Sequence, residues 1–191
     1  MPPVSILDHP GTAKQLWPLS VEAYHVLGEA GLIPEKTELL YGFVFNKMPK
    51  SPLNSFLTQL LYSLLSSLCP SGLTVRQEQP ITCPDSEPEP DVALVKGTPE
   101  EFRNAHPSTA ELVIEVAINS KEYDRDKASA YASAGVRELW IVLVPERQIE
   151  IHTEPSSDGY ASVRTVAGEE AASCEALPAI SVSPAKLFQK C

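Results

Sequence analysis

The sequence lacks the features of a membrane or secreted protein. No apolar run approaches the roughly 20 residues that a membrane-spanning helix needs. The N-terminal residues show no positively charged region followed by an apolar stretch, so no secretory signal is visible. We therefore expect a cytoplasmic protein that has no membrane partner.

Cysteine and histidine are few and scattered. The four cysteines are Cys69, Cys83, Cys174 and Cys191, and none forms a C-x-x-C pair or has zinc-finger spacing with a histidine. Reduced thiols are therefore expected instead of a disulfide framework. The sequence also has no G-x-S-x-G, P-loop, H-E-x-x-H or G-x-G-x-x-G motif, which disfavours the hydrolase and nucleotide-binding classes that carry them.

Basic residues are outnumbered by acidic ones. Lysine and arginine total 15 and aspartate and glutamate total 25, so the formal net charge is −10. Proteins that bind the phosphate backbone of nucleic acids normally present a basic face, and this chain has no Lys/Arg cluster. The acidic balance therefore counts against any nuclease interpretation.

What the chain does have is enough apolar sequence for one globular domain. It contains 191 residues, of which 43% are hydrophobic. We expect residues 1–18 to form an N-terminal arm and residues 19–191 to form a single domain.

The order of the predicted elements indicates an α/β fold. We predict helices over residues 20–30, 53–68, 121–134 and 184–188, a hairpin of strands 37–40 and 43–48, and strands over 73–77, 92–95, 111–117, 138–144, 148–153 and 160–166. The acidic, proline-rich segment 78–91 is expected to be a solvated loop. Strands 111–117 and 138–144 are continuous apolar runs joined by a helix, which is typical of a βαβ unit covered on both faces. The last two strands alternate in polarity, as expected of a half-exposed C-terminal hairpin.

Glu115 interrupts one of the apolar strands. A carboxylate inside a covered sheet costs several kcal/mol in desolvation unless it is paired or bound to a metal. We favour a functional role, although a Glu at a solvated edge or in a structural salt bridge remains an alternative. Asp91 opens the preceding apolar strand, and two acids at one end of neighbouring strands are suited to share a hard cation such as Mg²⁺.

Lys127 and Glu38 are the other candidates. Lys127 lies within an apolar stripe of the predicted helix, where it could neutralise the two acids, but a lysine whose ammonium reaches solvent fits the spacing equally well. Glu38 begins the first hairpin and could reach the same end of the sheet, although by itself an exposed hairpin Glu is the commoner case.

Five segments, in order and at suitable spacing, resemble the Uma-two family of bacterial proteins regarded as endonucleases, in the PD-(D/E)XK restriction-endonuclease-like superfamily. They are Glu38-Leu39-Leu40-Tyr41-Gly42; Met48-Pro49 with Ser51-Pro52; Glu89-Pro90-Asp91-Val92-Ala93; Leu112-Val113-Ile114-Glu115-Val116; and Tyr123-Asp124-Arg125 with Lys127, Tyr131, Gly135-Val136 and Leu139-Trp140-Ile141-Val142.

The resemblance implies a restriction-endonuclease-like core, a mixed β-sheet flanked by helices, with Asp91 and Glu115 as metal ligands. Lys127 would replace the lysine that standard members carry two residues after the Glu, where this chain has Ala117. Glu38 would correspond to an additional acidic residue of the N-terminal element. The chain departs from the family at Asn54, where a histidine is frequent, and at Phe43, where an acidic residue is frequent.

The expected function is therefore that of a metal-dependent endonuclease. It would hydrolyse phosphodiester bonds in nucleic acid, DNA in preference to RNA, with Mg²⁺ as cofactor and Mn²⁺ as a substitute. The alternatives are a nuclease-fold binding module with weak or no catalysis, and a homodimeric interaction protein that assembles through the C-terminal hairpin; a homodimer is also compatible with the enzyme.

Overall fold

The structure is a computed structural model that describes residues 15–189, so most of the predicted arm over residues 1–18 lies outside the described residues. The helices are α1 (Val21–Glu29), α2 (Pro52–Leu68), α3 (Lys121–Asp126), α4 (Ala128–Ser133) and α5 (Pro184–Phe188). The strands are β1 (Thr37–Leu40), β2 (Phe43–Asn46), β3 (Leu73–Gln77), β4 (Val92–Lys96), β5 (Leu112–Ala117), β6 (Glu138–Leu143), β7 (Gln148–Ser156), β8 (Gly159–Ala167), β9 (Ala172–Ser173) and β10 (Ser181–Val182).

The central layer is a mixed sheet of six strands in the order β3-β4-β5-β6-β7-β8. Only β5 and β6 are parallel, and α3 and α4 form the connection between them. The other neighbours are antiparallel, including the C-terminal hairpin of β7 and β8. The predicted α/β architecture, with its mixed sheet and terminal hairpin, is confirmed.

Both faces of the sheet are covered, which explains the continuous apolar strands. Leu57, Leu61 and Leu65 of α2 pack on one face, against alternate residues of β5 that include Ile114. On the opposite face, Tyr131 of α4 packs against the other set of β5 side chains. Because side chains alternate along a strand, Glu115 belongs to the face that α3 and α4 cover.

The first hairpin forms its own two-stranded sheet beside the central one. Leu40 pairs with Phe43 across a turn made of Tyr41 and Gly42, which have φ angles of 53° and 78°. Positive φ at both central residues is the geometry that a two-residue hairpin favours. A single bridge from Leu39 to Glu87 connects the hairpin to the segment that precedes β4.

Two expectations from the sequence need correction, and one pair of strands was not predicted. The helix predicted over residues 121–134 is two helices separated at Lys127, because the Tyr41 hydroxyl inserts between the Asp126 carbonyl and the Ala130 amide. The segment 78–91 is not simply a solvated loop, since Ile81 and Glu87 are buried in it. The sequence also did not predict the short pair β9–β10.

Within the part of the chain that the structure describes, no helix combines the length and the apolar character that crossing a membrane requires.

Candidate active site

The pairing of β4 with β5 brings Asp91 and Glu115 together. Val92 pairs with Ile114 in antiparallel register, so the next pair outward is Asp91 opposite Glu115. The Asp91 amide donates a hydrogen bond to Glu115 Oε2 at 3.3 Å, and the Val116 amide donates to Asp91 Oδ2 at 2.7 Å. Each carboxylate is therefore held by the backbone of the neighbouring strand.

Glu115 is buried, with 3% of the residue exposed. Its Oε1 atom accepts a hydrogen bond from the Tyr131 hydroxyl at 2.7 Å and lies 3.3 Å from Lys127 Nζ. Burial raises the pKa of Glu115 to about 8, because the Lys127 charge offsets only part of the desolvation cost. The Glu is therefore at neither a solvated edge nor the surface.

Lys127 is the residue at the junction of α3 and α4, and its ammonium is buried. Its Nζ atom lies 3.3 Å from Glu115 Oε1, 3.3 Å from Glu38 Oε1 and 5.1 Å from the centre of the Tyr123 ring. Burial alone would lower the pKa of Lys127, but the attraction of Glu115, Glu38 and Asp124 outweighs it and raises this pKa. Lys127 is therefore a fixed positive charge, and the alternative of a lysine that reaches solvent is wrong.

Glu38 of β1 is also buried, with 3% of the residue exposed, so the interpretation as an exposed hairpin residue is wrong. Its Oε1 atom accepts a hydrogen bond from the Tyr123 hydroxyl at 2.8 Å, and its Oε2 atom accepts one from the Glu89 amide at 3.2 Å. Together with Lys127, these contacts tie the hairpin to α3 and to the segment before β4.

The four residues predicted from the sequence, Glu38, Asp91, Glu115 and Lys127, line one cleft of about 550 Å³. The complete set of ionisable lysines and acids lining it is Glu38, Glu89, Asp91, Glu115, Asp124, Lys47, Lys50 and Lys127. The cleft thus has two more carboxylates than lysines. When these acids are ionised, their excess of negative charge in a partly enclosed space favours cations.

Sequence reasoning missed two lysines of this cleft. Lys50 forms ion pairs with Asp91 and, at 2.7 Å, with Glu78, and Lys47 pairs with Glu89. Both lie between β2 and α2, where the pattern predicts the end of a strand at Lys47 and a break between elements at Lys50. No periodicity marks a side chain in such a loop, so only the tertiary structure reveals these contacts.

Three further polar residues line the cleft: Ser120 and Asp124 were not predicted as site residues, and Asn54 was noted only as a departure from the family. Ser120 donates a hydrogen bond at 2.6 Å to Asp124, and burial raises the pKa of that aspartate. Asn54, at the start of α2, donates from Nδ2 to the Val116 carbonyl at 2.9 Å. Its Oδ1 atom is buried and has no hydrogen-bond partner among residues 15–189. Asn54 thus fixes the N-terminal end of α2 against β5 beside the two acids.

A mixed sheet covered by helices, with acids of two adjacent strands facing a buried lysine, defines an α/β protein of the restriction-endonuclease-like class. A crystal structure of a putative nuclease belonging to DUF820 from Anabaena variabilis ATCC 29413 has the same fold: the TM-score is 0.73 at 15% sequence identity, over 85% of this chain and 97% of that one. A family model, Uma2, described as "Putative restriction endonuclease", matches residues 23–185, so the chain belongs to the Uma2 family. This confirms the family resemblance and supports a nuclease-like function. No curated protein shows significant similarity to the chain.

Proposed function

We propose that the protein is a cytoplasmic, metal-dependent endonuclease that hydrolyses phosphodiester bonds in nucleic acid, with DNA preferred to RNA. The observation that carries the proposal is the convergence of Asp91, Glu115 and Lys127 in one cleft, on elements separated in sequence. Membership of the Uma2 family supports the same reaction class.

The donor atoms of Asp91 and Glu115 fit a hard divalent cation. Both side chains offer carboxylate oxygens, which Mg²⁺ prefers, and the cleft around them has excess negative charge. No group of three or more His, Cys, Asp or Glu side chains between residues 15 and 189 is arranged to hold a metal ion. Mg²⁺ commonly uses only one or two carboxylates together with substrate phosphates, so the pair is a sufficient protein contribution. Mn²⁺ would substitute.

When bound, the cation would supply Lewis-acid polarisation of a phosphoryl oxygen and a more acidic water. Lys127 would contribute its fixed positive charge, which stabilises negative charge that develops on the phosphoryl group, and its N–H groups would orient the attacking water. Since its raised pKa keeps it protonated, Lys127 acts as a donor in this scheme and not as a general base.

Glu38 would keep Lys127 in place. One of its oxygens lies 3.3 Å from the Lys127 ammonium and the other accepts a hydrogen bond from the Glu89 backbone. In this proposal Glu38 therefore has a role at the outer edge of the metal site, as the acid that holds Lys127, and Asp91 and Glu115 are the direct ligands.

The test is cleavage of double-stranded DNA, single-stranded DNA and RNA by the full chain with Mg²⁺, Mn²⁺ or a chelator. Glu115→Gln and Asp91→Asn should each lower the rate at least about a hundredfold, since each replaces a carboxyl group that the cation would bind as a carboxylate by an amide. Glu111→Gln is the matched control: Glu111 is buried beside β5 but pairs with Lys96 and Arg137 outside the cleft. Cleavage that is unaffected by the chelator, or by both site variants, would refute the proposal.

A nuclease-fold binding module is the second candidate. The net charge of −10 and the engagement of Lys47 and Lys50 with acids of the chain itself both disfavour a close hold on substrate phosphates, so weak or no catalysis is the alternative to an efficient enzyme. This candidate predicts that nucleic acid binds even in the presence of chelator. It also predicts that no cleavage product forms with either Mg²⁺ or Mn²⁺. Binding and cleavage measured on the same samples distinguish the two functions.

A homodimer is a further part of the proposal. β8 lies at an edge of the central sheet and exposes 54% of Val163, and an unpaired edge is a surface on which a second copy can assemble. Light scattering of the parent and of Val163→Lys tests this assembly. A monomeric parent protein would contradict it.

A further inference from the structure

Lys50 is bound to the carboxylate that the proposed function assigns to the metal. It lies between β2 and α2, its side chain is 28% exposed, and its ammonium contacts Asp91 Oδ1. The same ammonium lies 2.7 Å from Glu78 Oε1. Lys50 therefore has two acceptors, one inside the proposed cation site and one outside it.

The oxygen that Lys50 contacts is the one that a cation would need. Asp91 Oδ2 accepts the hydrogen bond of the Val116 amide at 2.7 Å, which belongs to the connection between β4 and β5. No backbone group among residues 15–189 donates to Oδ1, which accepts from the Lys50 ammonium instead. A divalent cation and a lysine ammonium cannot both lie against this oxygen, because like charges at contact distance repel strongly.

We propose that Lys50 is an internal counter-ion of the active site: it neutralises Asp91 in the metal-free protein and has to release Asp91 Oδ1 when a divalent cation binds. The inference rests on the proposed function, because it assumes that Asp91 is a metal ligand. It adds a determinant of metal affinity that neither the resemblance nor the sequence pattern contains.

Glu78 is the anchor that receives the displaced ammonium. Its amide donates a hydrogen bond to the Asp91 carbonyl at 3.2 Å, so its position relative to Asp91 is defined by the backbone. The Lys50 stem therefore keeps one ion pair, with Glu78, when it leaves the aspartate. Release of Asp91 then costs less than full exposure of an unpaired ammonium would.

The experiment measures the affinity for Mn²⁺ directly, by electron paramagnetic resonance of the free ion, without substrate. The full-length parent is compared with Lys50→Ala and with Lys47→Ala. Lys47 is the matched control because it lines the same cleft and carries the same charge, but pairs with Glu89 instead of Asp91. Lys50→Ala should bind Mn²⁺ about tenfold more tightly than the parent, and Lys47→Ala less than about threefold more tightly, since it acts only through distant charge.

A double-mutant cycle tests the second anchor. Glu78→Gln should weaken Mn²⁺ binding in the parent, because Lys50 then leaves Asp91 less readily, and should have little effect in the Lys50→Ala background. An equal effect in both backgrounds would mean that Glu78 acts through its charge alone, and would overturn the role of Glu78.

The outcomes separate this inference from the function on which it rests. If the parent binds Mn²⁺ and Lys50→Ala binds no better than Lys47→Ala, the counter-ion role is wrong and the metal site stands. If Lys50→Ala binds Mn²⁺ and the parent does not, the counter-ion role is supported in its strongest form. If no variant binds Mn²⁺ at millimolar concentration, the metal site fails and the role of Lys50 fails with it.

Discussion

The hydroxyl of Tyr41 accepts a hydrogen bond from the Ala130 amide at 3.1 Å. The same hydroxyl donates to the Asp126 carbonyl, which in an uninterrupted helix would be the acceptor for Ala130. A side chain of the β1–β2 turn thus replaces one hydrogen bond of the helical ladder and separates α3 from α4 at Lys127. The hairpin that supplies Glu38 therefore also shapes the backbone that carries its lysine partner.

Replacing Tyr41 by Phe should change the position of Lys127 without changing any charge. The Ala130 amide and the Asp126 carbonyl would pair with each other again, and the junction at Lys127 would straighten. We expect the rate of cleavage at saturating substrate to fall about tenfold, which corresponds to ~1.4 kcal/mol. Tyr24→Phe is the control, because the Tyr24 hydroxyl contacts Thr37 at 3.1 Å and does not line the cleft. Equal rates for the two variants would show that the inserted hydroxyl has no part in placing Lys127.

Replacing Lys127 by Met should destabilise the metal-free protein. It leaves the buried carboxyl groups of Glu38 and Glu115 without their shared ammonium, and breaking a buried ion pair typically costs about 3 to 5 kcal/mol. Lys96→Met is the comparison: the Lys96 side chain is 72% exposed and its ammonium lies 3.0 Å from Glu111. Loss of this exposed ion pair should cost less than about 1 kcal/mol. Urea denaturation in chelator measures both. Similar midpoints for the two variants would contradict the structural importance of the buried pair.

The stability of the metal-free protein should fall as the pH rises from about 4.5 to about 8. In the folded state burial raises the pKa of Glu115 to about 8, whereas its ordinary value is 4.5. Between these values the unfolded chain has released the proton and the folded chain still holds it. Rising pH therefore favours the unfolded state, and the free energy of unfolding falls by an amount on the order of a few kcal/mol. Below about 4.5 both states are protonated and the contribution is fully present.

Glu115→Gln isolates this pH dependence, because glutamine does not titrate. The free energy of unfolding, measured in chelator at pH 5 and pH 8, should differ more for the parent than for the variant. The contrary result is a difference in stability between the parent and Glu115→Gln that is the same at pH 5 and at pH 8. It would mean that Glu115 is already ionised in the folded protein at pH 5.

Gly42 should tolerate no side chain, for two separate reasons. Its φ angle is 78°, and a Cβ atom there would collide with the Pro18 side chain and lie 2.8 Å from the Pro18 Cα atom. Gly72 has a φ of 87° but open space around its Cβ position, so Gly72→Ala measures the backbone strain alone, about 1 to 2 kcal/mol. Gly42→Ala should cost at least about 2 kcal/mol more in thermal or urea denaturation. Equal losses would show that Pro18 moves aside without cost.

Much of the fold follows from local patterns in the sequence. The leucines of α2 recur at helical spacing because one stripe of the helix packs on the sheet, and Leu57, Leu61 and Leu65 are indeed buried. The apolar runs around Ile114 and Trp140 indicate strands covered on both faces, as found. Patterns of this kind can be predicted because their cause, burial of a repeating face, acts over neighbouring residues.

The residues of the candidate site could be predicted from the sequence only in part. Glu115 could be singled out because a carboxylate within an apolar strand conflicts with its neighbours. Glu38 by pattern alone favoured an exposed position, since nothing near it in sequence shows that Tyr123 and Lys127 cover it. Lys50 gave no signal at all, because a lysine in a loop is ordinary until its partners are known.

The sequence by itself determined the α/β class and the family, and it placed Asp91 and Glu115 at one end of neighbouring strands, because burial patterns and motif spacing are local properties of the chain. Only the tertiary structure decided that Lys127 is buried between two carboxylates, that Tyr41 interrupts the helix beside it, and that Lys50 contacts Asp91. Most of these contacts join residues that are 41 to 89 positions apart in the sequence. The exception is the contact between Lys127 and Glu115, which are 12 positions apart. Electrostatic and hydrogen-bond energies depend on distances in space, and local sequence contains no measure of such distances.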